Sequence, residues 1–157
     1  STPCFINKKE WNYGVEKDIF EKFTSQLLVN WEKTIHQFFL LQLYGEPNIR
    51  KVTAKFEETI LSLGKPDPRA LKAGLKLLMD TDCRENLINI NVKTLIITGD
   101  KDRLTSLASS KYMADIIPDS SLKIFPGAGH IPFLLEPEIF VQSILNFVKE
   151  KNDRQNI

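Results

Sequence analysis

Two short runs of β-branched and apolar residues, Thr94-Leu95-Ile96-Ile97-Thr98 and Leu122-Lys123-Ile124-Phe125, constrain this chain more than any other feature. Each stops at a glycine-containing turn, Gly99-Asp100-Lys101-Asp102 after the first and Pro126-Gly127-Ala128-Gly129-His130 after the second. Runs of this length and bounding read as strands. Between them Leu107 to Ile117 reads as a helix, closed by Pro118-Asp119. Strand, helix, strand makes a βαβ unit, with parallel strands joined by a right-handed crossover. Two parallel strands alone make a poor sheet, because both faces and both edges need covering, so the chain reads as part of a larger one.

The residues before the first strand follow a different period. Val15, Ile19, Phe20, Phe23, Leu27 and Leu28 recur at helical spacing, as do Trp31, Ile35, Phe38, Phe39, Gln42 and Leu43, with a stop at Tyr44-Gly45-Glu46-Pro47. A third helix, with Asn48 as its cap, runs through Ile49, Val52, Phe56, Ile60 and Leu61 to Gly64. A fourth follows the Pro66-Asp67-Pro68 turn through Leu71, Leu75, Leu78 and Met79. Ser1 to Gly14 is punctuated too often for a regular element and reads as a linker; Asp80 to Val92 reads as a connector between two layers. A last helix starts near Pro137 and runs through Phe140, Ile144, Leu145 and Val148 to a polar tail.

In an open α/β sheet chemistry gathers outside the C-terminal ends of the strands, where Asp102 and His130 fall. An imidazole titrates near neutrality and serves as a general base; a carboxylate on its other nitrogen fixes the tautomer and stabilises the cation. Asp102 is preferred for that role over Asp100, which reads as a turn residue. A nucleophile is expected on a G-x-S-x-G elbow, and none of the seven glycines forms that spacing around a serine. Ser106, Ser109 and Ser110 fall on the helix and read as surface residues.

Bulk properties narrow the field. With 42% apolar and 26% charged residues the chain reads as one globular domain, and a formal charge of +1 argues against a dedicated nucleic-acid binder. Cys4 and Cys83, with only His36 and His130 to join them, match neither a zinc site nor a disulfide framework, and each reads as a buried inert thiol. No cofactor is expected. The absence of a long apolar run and of a charged start followed by an apolar stretch predicts no membrane span and no secretion, hence a cytoplasmic protein.

The blocks Gly99-Asp100-Lys101-Asp102 and Gly127-Ala128-Gly129-His130-Ile131-Pro132-Phe133 resemble the acid and histidine segments that close an α/β-hydrolase. Ser1-Thr2-Pro3-Cys4-Phe5, Glu10-Trp11, Thr34 with Phe38 and Leu41-Gln42, Gly45, and Gly74-Leu75 with Asp82 and Arg84 resemble stretches of the pimeloyl-acyl-carrier-protein methyl ester carboxylesterases of biotin synthesis, the BioH family. The resemblance implies the C-terminal portion of that fold. Residues 1–14 would lead in from the end of a sixth strand, 15–85 would form a four-helix lid, and 86–157 would form the last two parallel strands with flanking helices.

It also implies a Ser-His-Asp esterase in which Asp102 and His130 are two members and the serine lies outside this chain, which alone would be inactive. The lid segment Phe38-Phe39-Leu40-Leu41-Gln42 would line the acyl channel, with His130 at its end, and basic residues would receive the acyl-carrier protein. The family's four arginine positions fall on Lys33, Gln37, Arg50 and Ala54, with Lys51 and Lys55 near enough to compensate. Two other readings stand beside this one: an esterase acting on another ester, and a non-catalytic helical module that binds an acyl-carrier protein or self-associates. Open strand edges would drive pairing with the missing half of the domain or with a second copy.

Overall fold

The computed structural model describes residues 2–43 and 49–155, so the helix stop at Gly45 and Pro47 and the Asn48 cap lie outside the described residues. Four helices come first: α1 (Lys17–Val29), α2 (Trp31–Gln42), α3 (Ile49–Ser62) and α4 (Pro68–Asp80). Local chemistry sets their starts. Asn30 accepts from the Lys33 amide at 3.2 Å to cap α2, and Asp67 accepts from the Arg69 amide at 2.7 Å to cap α4, with Pro68 at its first turn. The apolar stripes of α1 and α4 meet in a core of Phe20, Leu27 and Leu75, against which Phe23, Trp31, Ile35 and Leu71 pack.

A six-residue 3₁₀ turn, Arg84–Asn89, leads into β1 (Thr94–Gly99), α5 (Leu107–Ile116) and β2 (Ser120–Phe125). The strands are parallel, in register from Thr94 opposite Ser120 to Gly99 opposite Phe125, as a βαβ unit requires. Leu87, Ile96, Met113 and Ile117 form a second core under them. A short helix α6 (Pro132–Leu135), started by Pro132, precedes the long α7 (Pro137–Gln155). The architecture is two parallel strands with flanking helices behind a four-helix layer, the arrangement expected of the C-terminal part of an α/β-hydrolase fold. Among the described residues no helix is long and apolar enough to cross a membrane.

Residues 2–14 are irregular, as expected, but they do not behave as a linker. Cys4, Ile6 and Trp11 are each at most 3% exposed. Ile6 joins the helical core, while the Trp11 ring stands edge-on to Tyr112 of α5 at 5.1 Å. Directional bonds hold the segment on both sides. Pro3 accepts from the Cys83 amide at 2.8 Å, and Arg84 forks onto Asp82 while lying over the Trp11 ring. Ser106 Oγ donates to the Tyr13 carbonyl, and Ser109 Oγ to the Thr2 hydroxyl, each at 2.8 Å.

Those last bonds correct one expectation. Ser109 and Ser110 are 0% and 1% exposed, because this turn of α5 faces the lead-in segment rather than solvent. A second correction concerns the thiols: Cys4 is buried and donates to the Ile6 carbonyl, whereas Cys83 is exposed. Burial pushes the Cys4 thiol up from its ordinary range, leaving it a packing group.

Candidate active site

The loops after β1 and β2 are tied to each other before any side chain is considered. Asp100 N–H donates to the Phe125 carbonyl, Lys101 N–H donates to the Ala128 carbonyl, and the Asp100 carboxylate accepts from Gly127 N–H at 2.7 Å. Asp100 therefore serves as the clasp between loops. The approach is close enough to dictate a residue: a Cβ on Gly99 would stand 2.2 Å from the carbonyl oxygens of Ala128 and Gly129. Only glycine fits there without displacing the segment that carries His130.

Within this clasp Asp102 and His130 meet. Oδ2 of Asp102 lies 2.9 Å from Nδ1 of His130, and the two side chains are 4% and 29% exposed. The carboxylate has three further donors: the amides of Leu104 and Thr105 to Oδ1 at 2.8 and 2.9 Å, and the Thr105 hydroxyl to Oδ2 at 2.8 Å. Burial pushes the Asp102 carboxyl upward, but the bonds from His130, Thr105 and Leu104 outweigh it and hold it below the ordinary carboxylate range. A carboxyl depressed in the folded state stabilises the fold above its unfolded value, and that contribution is lost as pH falls through the folded value. With Nδ1 donating to Asp102, Nε2 is the nitrogen left to exchange a proton.

The helical layer reaches the same place. The carbonyl of Gln42, at the end of α2, accepts from the backbone N–H of His130 at 3.0 Å. Phe38, one helical turn before Gln42, and Leu41, next to it, line a cleft of about 490 Å³ that opens onto Asp102. Phe39 and Leu40 do not line it, since each residue turns the helix by about 100° and a contiguous stretch cannot share one face. Most of the apolar wall comes from residues the sequence did not single out for binding, among them Phe5, Val15, Phe20, Phe23 and Leu104. Phe20 and Phe23 were signalled only as the apolar side of α1, and Phe5 and Leu104 carried no such signal; Phe23 and Phe38 lie 5.4 Å apart, ring to ring.

The basic positions lie elsewhere. Lys33 on α2 and Arg50, Lys51 and Lys55 on α3 are exposed, and Lys33 and Gln37 border a polar groove between α1 and α2 of about 350 Å³. Lys51 and Lys55 are one turn apart and share a face, from which Arg50 is turned by about 100°. Beside them His36 of α2 pairs with Glu57 of α3.

A sequence model of the alpha/beta hydrolase fold family matches residues 11–137. The chain is 35% identical over 141 residues to the pimeloyl-[acyl-carrier protein] methyl ester esterase of Nitrosomonas europaea, covering 90% of this chain and 56% of the relative. It is 34% identical over 149 residues to the protein of that name in Photobacterium profundum, covering 95% of this chain and 58% of the relative. The chain thus spans a little over half the length of the curated relatives it matches. Among solved structures, an esterase from Exiguobacterium antarcticum superposes with a TM-score of 0.83 at 25% identity, over 94% of this chain and 53% of its own. A bromoperoxidase from Bacillus anthracis shares the fold, with a TM-score of 0.82 at 22% identity over 94% and 54% of the two chains.

Proposed function

The chain belongs to the alpha/beta hydrolase fold family, and from that premise we propose that it carries the acid, the base and the lid of a carboxylesterase acting on a pimeloyl-[acyl-carrier protein] methyl ester. One observation carries the reading: a buried aspartate 2.9 Å from Nδ1 of a histidine, both at the C-terminal ends of parallel strands. The ester comes from the names of the relatives.

In this reading a serine from the part of the hydrolase domain outside this sequence attacks the ester carbonyl. Nε2 of His130 takes the serine proton and returns it to the departing methoxy oxygen, so methanol leaves and an acyl-serine remains. Water then attacks through the same nitrogen, releasing the free acid on its carrier and restoring the serine. Asp102 holds the tautomer and stabilises the imidazolium. The cleft beside Phe38 and Leu41 takes the methylene chain, Gln42 sets the histidine loop, and Phe39 and Leu40 support α2 from its other faces. Residues 1–14 form the lead-in, 15–85 the lid and 86–157 the end of the core. Lys33, Arg50, Lys51 and Lys55 offer the acidic carrier protein a positive surface, and a cytoplasmic setting goes with such a partner.

Hydrolysis of a short nitrophenyl ester tests this. We expect none from the chain alone, activity on mixing with the N-terminal half of a relative, and a loss of about 10³-fold or more in His130→Ala. Activity in the isolated chain would overturn the assignment of the nucleophile to another segment. The lack of a G-x-S-x-G elbow favours a second reading, a carrier-binding module without catalysis. A mixed complex that forms but stays inactive, while still retaining acyl-carrier protein on a column, would support it.

A further inference from the structure

The catalytic reading uses two side chains, but the carboxylate it depends on is held by a third. We propose that Thr105 is a positioning residue for the acid–base pair, its hydroxyl fixing the Asp102 rotamer and moderating the pull of Oδ2 on the imidazole. The proposal rests on the assignment of Asp102 and His130 as partners.

A carboxylate has about four lone-pair sites, and all four at Asp102 are met within the protein. Oδ1 accepts the amides of Leu104 and Thr105; Oδ2 accepts the Thr105 hydroxyl at 2.8 Å and His130 Nδ1 at 2.9 Å. The turn itself needs only the two amides. The hydroxyl is additional, and it competes with the histidine for one oxygen. A donor on that oxygen withdraws charge from it, so the imidazolium is stabilised less than it would be by a carboxylate facing His130 alone. Thr105 is 6% exposed, which leaves little room for water to replace the hydroxyl.

Its position is fixed from behind. Thr105 directly precedes Ser106, which caps α5 and donates to the Tyr13 carbonyl, and Ser109 one turn on donates to Thr2. The start of α5 is thereby pinned to the lead-in segment at two points. Charged groups also lie nearby: Arg103 and Glu16 line the cleft with Asp102, and Lys101 and Asp100 lie in the turn before it. Thr105 and His130 both meet Oδ2.

The test is an NMR titration of His130 in the full chain, which needs no turnover. Thr105→Val, nearly isosteric, and Thr105→Ala should each raise the His130 midpoint by about half a pH unit relative to the parent chain. They should also move the Nδ1 proton resonance. Thr105→Ser, which keeps the hydroxyl, should return the midpoint to within about 0.2 unit, and the titration of His36 should not move in any variant. An unchanged or lowered midpoint in Thr105→Ala overturns the proposal, whether or not the valine variant folds. Because Asp102→Asn abolishes the coupling by itself, a failed response to Thr105 is distinguishable from a failure of the Asp102–His130 assignment.

Discussion

From Thr94 to Leu135 the chain is organised by directional bonds: a six-residue parallel ladder, a clasp of backbone amides between two loops, and a carboxylate with every lone pair met. From Lys17 to Asp80 it is organised by surface. The helices there meet through the apolar faces around Phe20, Leu27 and Leu75, and among the described residues the hydroxyls of Thr24 and Thr53 are buried without a hydrogen-bond partner. Hydrogen bonds fix angles and distances, whereas apolar contact is non-directional and tolerates sliding. In the proposed function the half that holds a proton between two atoms uses the first, and the half that admits a flexible chain uses the second.

The contrast breaks most readily at Gly99. Gly99→Ala should cost about 3 kcal/mol or more by forcing the histidine loop outward, and should erase the Asp102–His130 proton resonance. Thermal unfolding together with NMR reads both; a stable variant that keeps the resonance would show that the clasp is soft. Next in size is Leu27→Ala in the helical core, expected to cost about 2 to 3 kcal/mol in urea unfolding while leaving the His130 titration in place. A moved titration would mean the two halves are coupled more tightly than their bonding implies.

A smaller effect belongs to the junction between them. The side-chain hydrogen bond from Arg84 holds the Asp82 carboxyl down to about 2. Its folded value lies below its unfolded one, so the stabilisation is complete above about pH 4 and is lost as pH falls toward 2. With solvent screening this is on the order of 1 kcal/mol. Arg84→Gln should flatten that part of the pH–stability curve, and an unaltered curve would remove the pair from the account. Smallest for stability is the double variant Lys33→Glu, Arg50→Glu, expected within about 0.5 kcal/mol of the parent. Its effect should appear instead as weaker, less salt-sensitive retention on an acyl-carrier protein column; unchanged retention would take both residues out of the carrier surface.

The same division governs what could be read in advance. The strand ends were legible because a β-branched run closed by glycine is a local signal, and Asp102 and His130 follow from where those runs stop. The helices were legible from their period. The lead-in segment was not, since Cys4 pairs with Asp82, Trp11 packs on Arg84 and Tyr112, and Ile6 reaches Leu75, all distant in sequence. Within the stretch from Phe38 to Gln42, the helix's own rotation, which a linear reading does not show, presents Phe38 and Leu41 together to the cleft. Thr105 had a readable sign, a hydroxyl three residues after an acid at the mouth of a helix, the spacing of a turn that caps itself.

The lead-in segment's long-range bonds also bear on the order of events in folding. The bonds from Ser109 to Thr2 and from Ser106 to Tyr13 close intervals of 107 and 93 residues, whereas β1, α5 and β2 assemble within about thirty. Loop-closure entropy makes the short intervals cheaper to close, so the βαβ unit should gain protection first and the lead-in should dock last. Pulse-labelled hydrogen exchange would then find the amides of Ile96 and Ile124 protected before those of Asn7 and Trp11. Asp102 and His130 would come together early, and the wall of the cleft beside them would be the final piece to arrive.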